Sequence, residues 1–467
     1  MHSLLTIHCF PERKTMPQNT PHPWYNSRLA QWTRCRDAMA GSDAVKARGE
    51  LYLPKPTGMK ANEYEAYKIR AKWFNAAKRT REGLTGLVFR HQPTVTAKDA
   101  VLAQLADVTE TGVSHQGYAQ MMMQERLTAG VLGTLVDLTG DDRSINELRA
   151  HWTGYTAEQI FNWHWEADAD GRHRLTRVVL QEQHERPKSD DEYAIEIVTR
   201  YRELVLTSTG YEVLVWEPSA TGLALIKVDV RRPTRQGQPL DFLPFVLFQG
   251  QEPPLLDVVD VNLNHYQVSA DYQHELHWGS VITPVITGWR SKRPEVLALG
   301  SLEVLCIPEA DARAFMLETS GNGLAAKKLA LDDAKQEMAV LGARMLAPDR
   351  NAAEATETHA LRQAGEHSVL QGYADEVSQH LTQVLRLHSW WIGATQERDD
   401  PSLLYTLNKD YLPTGLTGGE MLELMAAFQG GAITEHDLYY NLRQGERLDP
   451  GETFEEWQFR RQQQVPL

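Results

Sequence analysis

Cysteine is scarce in this chain. Cys9, Cys35 and Cys306 are three among 467 residues, far apart and without CxxC spacing. An odd, scattered set of thiols argues against a disulfide framework or a cysteine zinc site and fits a reducing compartment. Long apolar runs are missing too. No stretch reaches the roughly 18 uncharged apolar residues that a membrane helix needs, so no membrane partner is expected. The opening MHSLLTIHCFPERKTM is broken by His8 and Pro11, so a signal peptide is not expected either. Positive charge is in deficit: 48 Lys and Arg stand against 62 Asp and Glu, a formal net of −14. A protein that clamps nucleic acid by neutralising phosphates is usually basic, at least as a domain. There is no GxxxxGK[ST] phosphate loop. The nearest approach, from Gly321 to Lys328, lacks the second glycine and the hydroxyl residue that would reach magnesium. GxSxG and GxGxxG are absent, as is any repeat of roughly 20–50 residues. A motor ATPase and a solenoid are thereby disfavoured.

What is present fits a folded protein. The chain is 42% hydrophobic, and its length at about 150 residues per domain corresponds to two to four structural units. Charge is unevenly spread. Residues 60–90 hold eight basic side chains (Lys60, Lys68, Arg70, Lys72, Lys78, Arg79, Arg81, Arg90) against Glu63, Glu65 and Glu82, whereas residues 351–467 hold 18 acidic and 8 basic. The plainest reading of the acidic end is a solvated face that aids solubility. The first 20 or so residues lack periodicity and read as a loose arm. Residues 24–138 read as helical. Tyr64, Tyr67, Ala71, Phe74 and Ala77 recur at steps of three and four, one face of one helix. Pro54, Pro56 and Gly58 punctuate its approach and Pro93 closes the region. A further helix is expected over 118–138, with Met121, Met122 and Met123 as core filler.

Near Trp152 the character changes. Segments 160–166, 175–180, 194–206 and 211–217 are rich in β-branched and aromatic residues and are separated by breakers, the pattern of an antiparallel meander. Segments 223–230 and 242–248 would add two strands. Pro253 and Pro254 then open a run without internal Gly or Pro over 255–278. Leu256, Val259, Leu263, Tyr266, Ala270, Gln273 and His277 alternate steps of three and four, close to a 3.5-residue repeat. As a helix it would span about 36 Å, either as a core element or as a strut packed against copies of itself. Strands are expected over 283–307, a loop at Gly321 and Gly323, and a helix over 327–346. After a breaker stretch, a long helix over 358–391 would place Val369, Tyr373, Val377, Leu381, Val384 and His388 on one face. The end reads as a strand over 403–407 and two short helices.

Chemistry-bearing residues do not gather into a signature. His274-Glu275-Leu276-His277 resembles the HExxH zinc motif, but its histidines are at i and i+3 rather than i and i+4, and a third ligand is not assignable; helix packing is the preferred reading. His164, flanked by Trp163 and Trp165, reads as a satisfied structural histidine, and so does His388 before Trp390 and Trp391. Ser189 to Glu192 would suit a cation, but an exposed turn suits it better. The basic cluster Lys78-Arg79-Thr80-Arg81 fits phosphate, RNA or an acidic partner, and equally a solvated helix face or a salt-bridge seam.

Four stretches in this order resemble the portal proteins of tailed bacteriophages. They are YLPKPTGMKANEYEAYKIRAKWFNAAKRTREGLTGLVFRHQPTV (52–95), LPFVLFQGQEPPLLDVVDVNLNHYQVSADYQHELHWGSVITPVITG (243–288), QEMAVLGARML (336–346) and LNKDYLPTGLTGGEMLELMAAFQGGAITEHDLYYNLRQGERL (407–448). None is a catalytic signature; order and coverage carry the resemblance. It implies an α+β portal fold. Residues 1–50 would be an N-terminal arm and first helix, and 51–254 a wing, helical over 51–150 and β-rich over 151–250. A stem helix would follow at 255–280, a small α/β clip at 281–326, a second stem helix at 327–346, a tunnel loop at 347–357, and a wing return with short crown-side helices at 358–467.

The resemblance also implies a function. It is a ring, normally of twelve subunits, at one capsid vertex, through which double-stranded DNA passes without sequence specificity during packaging and ejection. It has no cofactor and no enzymatic activity of its own. Partners would be terminase, the major capsid and scaffold proteins, and the head–tail adaptor; the setting would be the virion, and host cytoplasm during assembly. A wall that gripped phosphate would stall a sliding polyanion, which agrees with the acidity. Arg344, Arg350 and Asn351 are the candidate DNA-facing residues. Arg290, Lys292 and Arg293 are candidate clip contacts with terminase or adaptor, and Leu256, Val259, Leu263 and Tyr266 are the stem-packing set. Two other readings stand beside this one: a metal-dependent DNA-processing enzyme, and another head–tail adaptor protein.

Overall fold

The computed structural model describes residues 19–138, 148–167, 171–188, 193–219, 224–250, 252–279, 283–288, 311–317, 322–344, 369–409, 411, 418–444, 447–448 and 452–463. They form a mixed α+β protein of two compact units, Met1–Leu407 and Asn408–Leu467.

The first unit opens with α1 (Pro23–Ala40), started by a proline at the first helical position and by the His22 side chain, which accepts from Trp24 N. The short α2 (Ser42–Ala47) follows, then α3 (Ala61–Arg70) and α4 (Ala76–Val88). The single helix expected across Tyr64–Ala77 is therefore two. The apolar face continues through the break, since Tyr64, Tyr67, Ala71 and Ala77 are all buried, but residues 71–75 leave the helix. Periodicity of side chains does not reveal where a backbone finds better partners.

Next come β1 (Thr94–Thr96), α5 (Asp99–Leu102) and α6 (His115–Ala129), the last capped by the Ser114 side chain. Gly130 ends α6 in the left-handed region at φ 79°, where a Cβ would sit 2.9 Å from the Glu252 carbonyl oxygen. Beyond it, Val131–Leu138 is not helix but strand β2. This corrects the helical reading of 118–138 and of the 51–150 region. A short apolar run buried on both sides carries no period that separates strand from helix.

Strand β2 is the centre of a three-stranded antiparallel sheet, between β3 (Ala150–Tyr155) and, from far along the chain, β11 (Phe245–Gln249). The five strands between them form a separate antiparallel meander in chain order: β4 (Ile160–Ala167), β5 (His173–Pro187), β6 (Ile195–Thr207), β7 (Gly210–Pro218) and β8 (Leu225–Arg231). The meander is as expected. The 242–248 segment does not extend it but pairs with β2. A small hairpin, β9 (Thr234–Arg235) with β10 (Gln238–Pro239), joins the two sheets in sequence.

After β11 come α7 (Leu256–Gly279), β12 (Thr283–Thr287), β13 (Arg313–Leu317) and α8 (Asn322–Arg344), which begins five residues before the expected 327. Helix α9 (Val369–Trp391) then lies on the three-stranded sheet. Trp391 Nε1 donates to the Val136 carbonyl at 2.8 Å, and His380 Nε2 meets Thr134 Oγ1 at 2.8 Å. Strand β14 (Leu404–Thr406) pairs with β1 and closes the unit. His388 is buried under this sheet and accepts from Trp152 Nε1 at 3.1 Å. His164, read as a satisfied structural histidine, is exposed beside Glu166 at 3.6 Å.

Among its described residues the second unit holds α10 (Gly418–Gln429), α11 (Glu435–Gln444) and α12 (Phe454–Gln463), where two helices were expected. Leu438, Tyr439 and Trp457 form its core, with Phe428, Ile433 and Phe454 packed around them.

Candidate functional site: a helix pair with a ribbon between

Helix α7 is held to its own chain over its first half by side chains that substitute for missing backbone partners. Asn262, fully buried, donates from Nδ2 to the Phe74 carbonyl at 2.7 Å and accepts at Oδ1 from Ala77 N at 3.1 Å. Ser269 Oγ accepts from Lys72 N at 3.1 Å. These three bonds go to backbone groups at the break between α3 and α4 and help to hold it where it lies. Further along, Gln267 Nε2 donates to the Tyr52 carbonyl, Tyr67 OH donates to Asp271 Oδ1 at 2.6 Å, and Arg34 pairs with Asp260 at 2.8 Å. Burial and the Asp271 carboxylate push the Tyr67 hydroxyl pKa up.

Val259, Leu263 and Tyr266 are buried inside this seat and Leu256 is half-buried; Tyr266 meets the Trp73 ring edge-on at 6.0 Å. In its first half the near-heptad seam thus packs mainly against the chain's own α1, α3 and 71–75 link, with Leu263 at the edge of this seat. No residue of α7 beyond Ala270 is buried, and Trp278 is 53% exposed. The seam runs on after its partners stop.

Helix α8 returns antiparallel to α7. Lys327 Nζ meets Glu275 Oε2 at 2.6 Å near its start, and Lys335 and Asp332 lie within electrostatic range of the buried His265 further on. Burial, then Lys335, holds His265 below its ordinary pKa. Towards the end of α8, a Cβ on Gly342 would stand 3.1 Å from the Thr80 methyl of α4. Among the described side chains of α8 only Ala334 and Met338 are buried, and Leu329 is 62% exposed. Between the two helices, β12 and β13 pair antiparallel from Thr283↔Leu317 to Thr287↔Arg313. Pro284 is tolerated there because each strand of a two-stranded ribbon is an edge.

The residues singled out in the sequence fall as follows. Arg344 is the last residue of α8. Arg350 and Asn351 lie outside the described residues, as do Arg290, Lys292, Arg293 and the run 189–192. The basic cluster is engaged within the chain: Lys78 reaches Glu82 at 4.0 Å, Arg79 stands 5.7 Å from the Phe74 ring centre, and half-buried Arg81 has its pKa lowered by burial. In the His274–His277 segment, His274 packs edge-on against Tyr67 and Trp278, and Glu275 is taken by Lys327. Among the described residues no three His, Cys, Asp or Glu side chains converge as metal ligands. The polar clamp of Asn262 and Ser269 was not singled out in the sequence. Its one signal there is a pair of small polar residues seven apart, two turns along one side of the helix.

A family model described as a domain of unknown function, DUF4055, matches residues 254–392, which runs from the start of α7 to the end of α9. No curated protein matches the chain. Among solved structures it is similar to a chain of the neck of a native GTA particle computed with C12 symmetry, at 13% identity over 79% of this chain and 89% of that one, with a TM-score of 0.37. It is also similar to a chain of the neck of an empty GTA particle computed with C6 symmetry, at 12% identity over 78% and 88%, TM-score 0.39. A third is a chain of the virion of the native gene transfer agent particle, at 11% identity over 84% and 95%, TM-score 0.37.

Proposed function

We propose that this chain is the subunit of a phage-type portal, a ring at one vertex of a capsid that conducts double-stranded DNA and carries no catalysis of its own. One observation carries the reading: two long antiparallel helices, joined through a two-stranded ribbon, in which no residue of α7 beyond Ala270 is buried and most described side chains of α8 are exposed. The portal resemblance implies a stem helix, a clip and a second stem helix in that order at these positions. Apolar side chains such as Leu276, Trp278, Leu329 and Val340, exposed on a single chain, are accounted for when copies stand side by side, because exposed apolar patches mark interaction surfaces. The ring would be a homo-oligomer, dodecameric by the resemblance, and a docking site for terminase and for the head–tail adaptor.

Arg344, Arg350 and Asn351 are proposed to face DNA, and Arg290, Lys292 and Arg293 to meet terminase or adaptor. Replacing Arg350 by Ala should alter packaging while leaving ring assembly intact; normal packaging removes that residue from the set. The reading as a whole is tested by light scattering and by magnesium-dependent nuclease and ATPase assays on the pure protein. A particle many times 52.9 kDa without turnover is expected. Clear turnover favours the DNA-processing enzyme instead, and a monomer at high concentration contradicts the ring.

A further inference from the structure

The ring reading leaves open which faces of neighbouring copies meet, and the molecule offers two that fit each other. The first is a groove of about 550 Å³ along the outer side of α7, walled by Ala30 and Arg34 of α1 and by Leu51 and Tyr52, and floored by Leu263 and Asn264. Leu51, an aliphatic side chain, stands at this groove 71% exposed. The second is the outward side of α8, where Ala326, Leu329, Ala330, Asp333, Glu337 and Val340 share one helical face, all exposed. A shallow depression of about 390 Å³ runs beside Asp333, Glu337 and Val340.

The two lie on different sides of the helix pair. Leu263 and Asp260, which bound the groove, are roughly 140–200° around α7 from His265, which faces α8, at about 100° per residue. Copies related by a rotation about one axis meet through two unlike patches, and a head-to-tail contact of that kind closes into a ring. Both faces are long and helical. Charge can also be shared: Arg34 gives Nη1 to Asp260, itself on the groove wall, and keeps about a third of its side chain exposed for a second carboxylate, while α8 presents Asp333 and Glu337 between its apolar residues.

We infer that the groove between α1 and α7 receives the outward side of α8 from a second copy, with Leu51 packing beside Leu329 or Val340 and Arg34 reaching Asp333 or Glu337. The inference rests on the ring reading and specifies which surfaces build it.

Two variants with one added cysteine each test it, Ala30→Cys and Gln336→Cys, both in a Cys9→Ser, Cys306→Ser background with buried Cys35 retained. Co-assembled and oxidised, they should give at least ten-fold more covalent dimer than either variant alone. If parent and variants form rings but the mixture cross-links no better than the single variants, the groove assignment is overturned and the ring reading stands. If the parent forms no rings, both are overturned. Thr33→Cys with Asp333→Cys supplies a second pair should the first disturb assembly. Leu51→Asp should leave the thermal melt of the single chain unchanged and shift the population from rings to monomers; rings at parental yield contradict the inference.

Discussion

Helices α8 and α9 are each 23 residues long, and the chain treats them in opposite ways. Thirteen residues of α9 are buried, among them Leu381, Val384 and Trp391; α8 buries Ala334 and Met338 among its described side chains. The difference begins in the sequence. The apolar residues of α9 gather into one broad face that the three-stranded sheet fills. Those of α8 form two narrow rows. Leu324, Leu331 and Met338, seven apart, are at least half-buried, whereas Leu329 and Val340, eleven apart and about three turns, face outward. A filled face stabilises a chain; an unfilled second row points to a partner beyond it.

Three perturbations sharpen this contrast. The largest effect belongs to α9: Leu381→Ala, at a fully buried site, should cost about 2–5 kcal/mol by lost burial and cavity formation. Chemical denaturation checks it, and a cost below about 1 kcal/mol means α9 is not the keystone of this core.

Acid should act on the same helix. Burial lowers His380 to about 3 and His388 to about 4, the latter further depressed by Arg149 and His151. Both are kept neutral in the fold while the unfolded chain protonates them near pH 6.5. The unfolded state therefore binds more protons below that pH, so stability is full above about pH 6.5 and falls as pH drops towards 4, by at most about 1.4 kcal/mol per pH unit for each group. A Tm flat from pH 7 to pH 4, in the parent and in a His388→Gln variant alike, contradicts this.

The smallest effect on the single chain belongs to α8. Leu329→Glu should shift unfolding by no more than about 0.5 kcal/mol, yet reduce assembly in sedimentation; a large loss of stability would show that α8's outer row already has a partner within the chain.

Much of this was legible in the sequence, for reasons that differ by element. The meander was clear because its strands are rich in β-branched and aromatic residues and breakers such as Thr209-Gly210 separate them. Helix α7 was clear from its unbroken run and paired prolines. Strand β2 was not, because Val131 to Val136 is buried on both sides and shows no alternation. The break at residues 71–75 was hidden because the atoms that stabilise it belong to Asn262 and Ser269, almost 200 residues away. The pairing of β11 with β2 is likewise a long-range choice that local pattern does not record. The candidate site divides the same way: the near-heptad period located the helix, but not which of its rows the chain itself covers.

The central claim is that the uncovered sides of α7 and α8 exist to meet copies of this chain around an open axis. Negative-stain electron microscopy of the purified protein at high concentration tests it most directly. Rings of many subunits with a stain-filled centre are predicted; a field of single, compact particles, each the size of one chain, would contradict it.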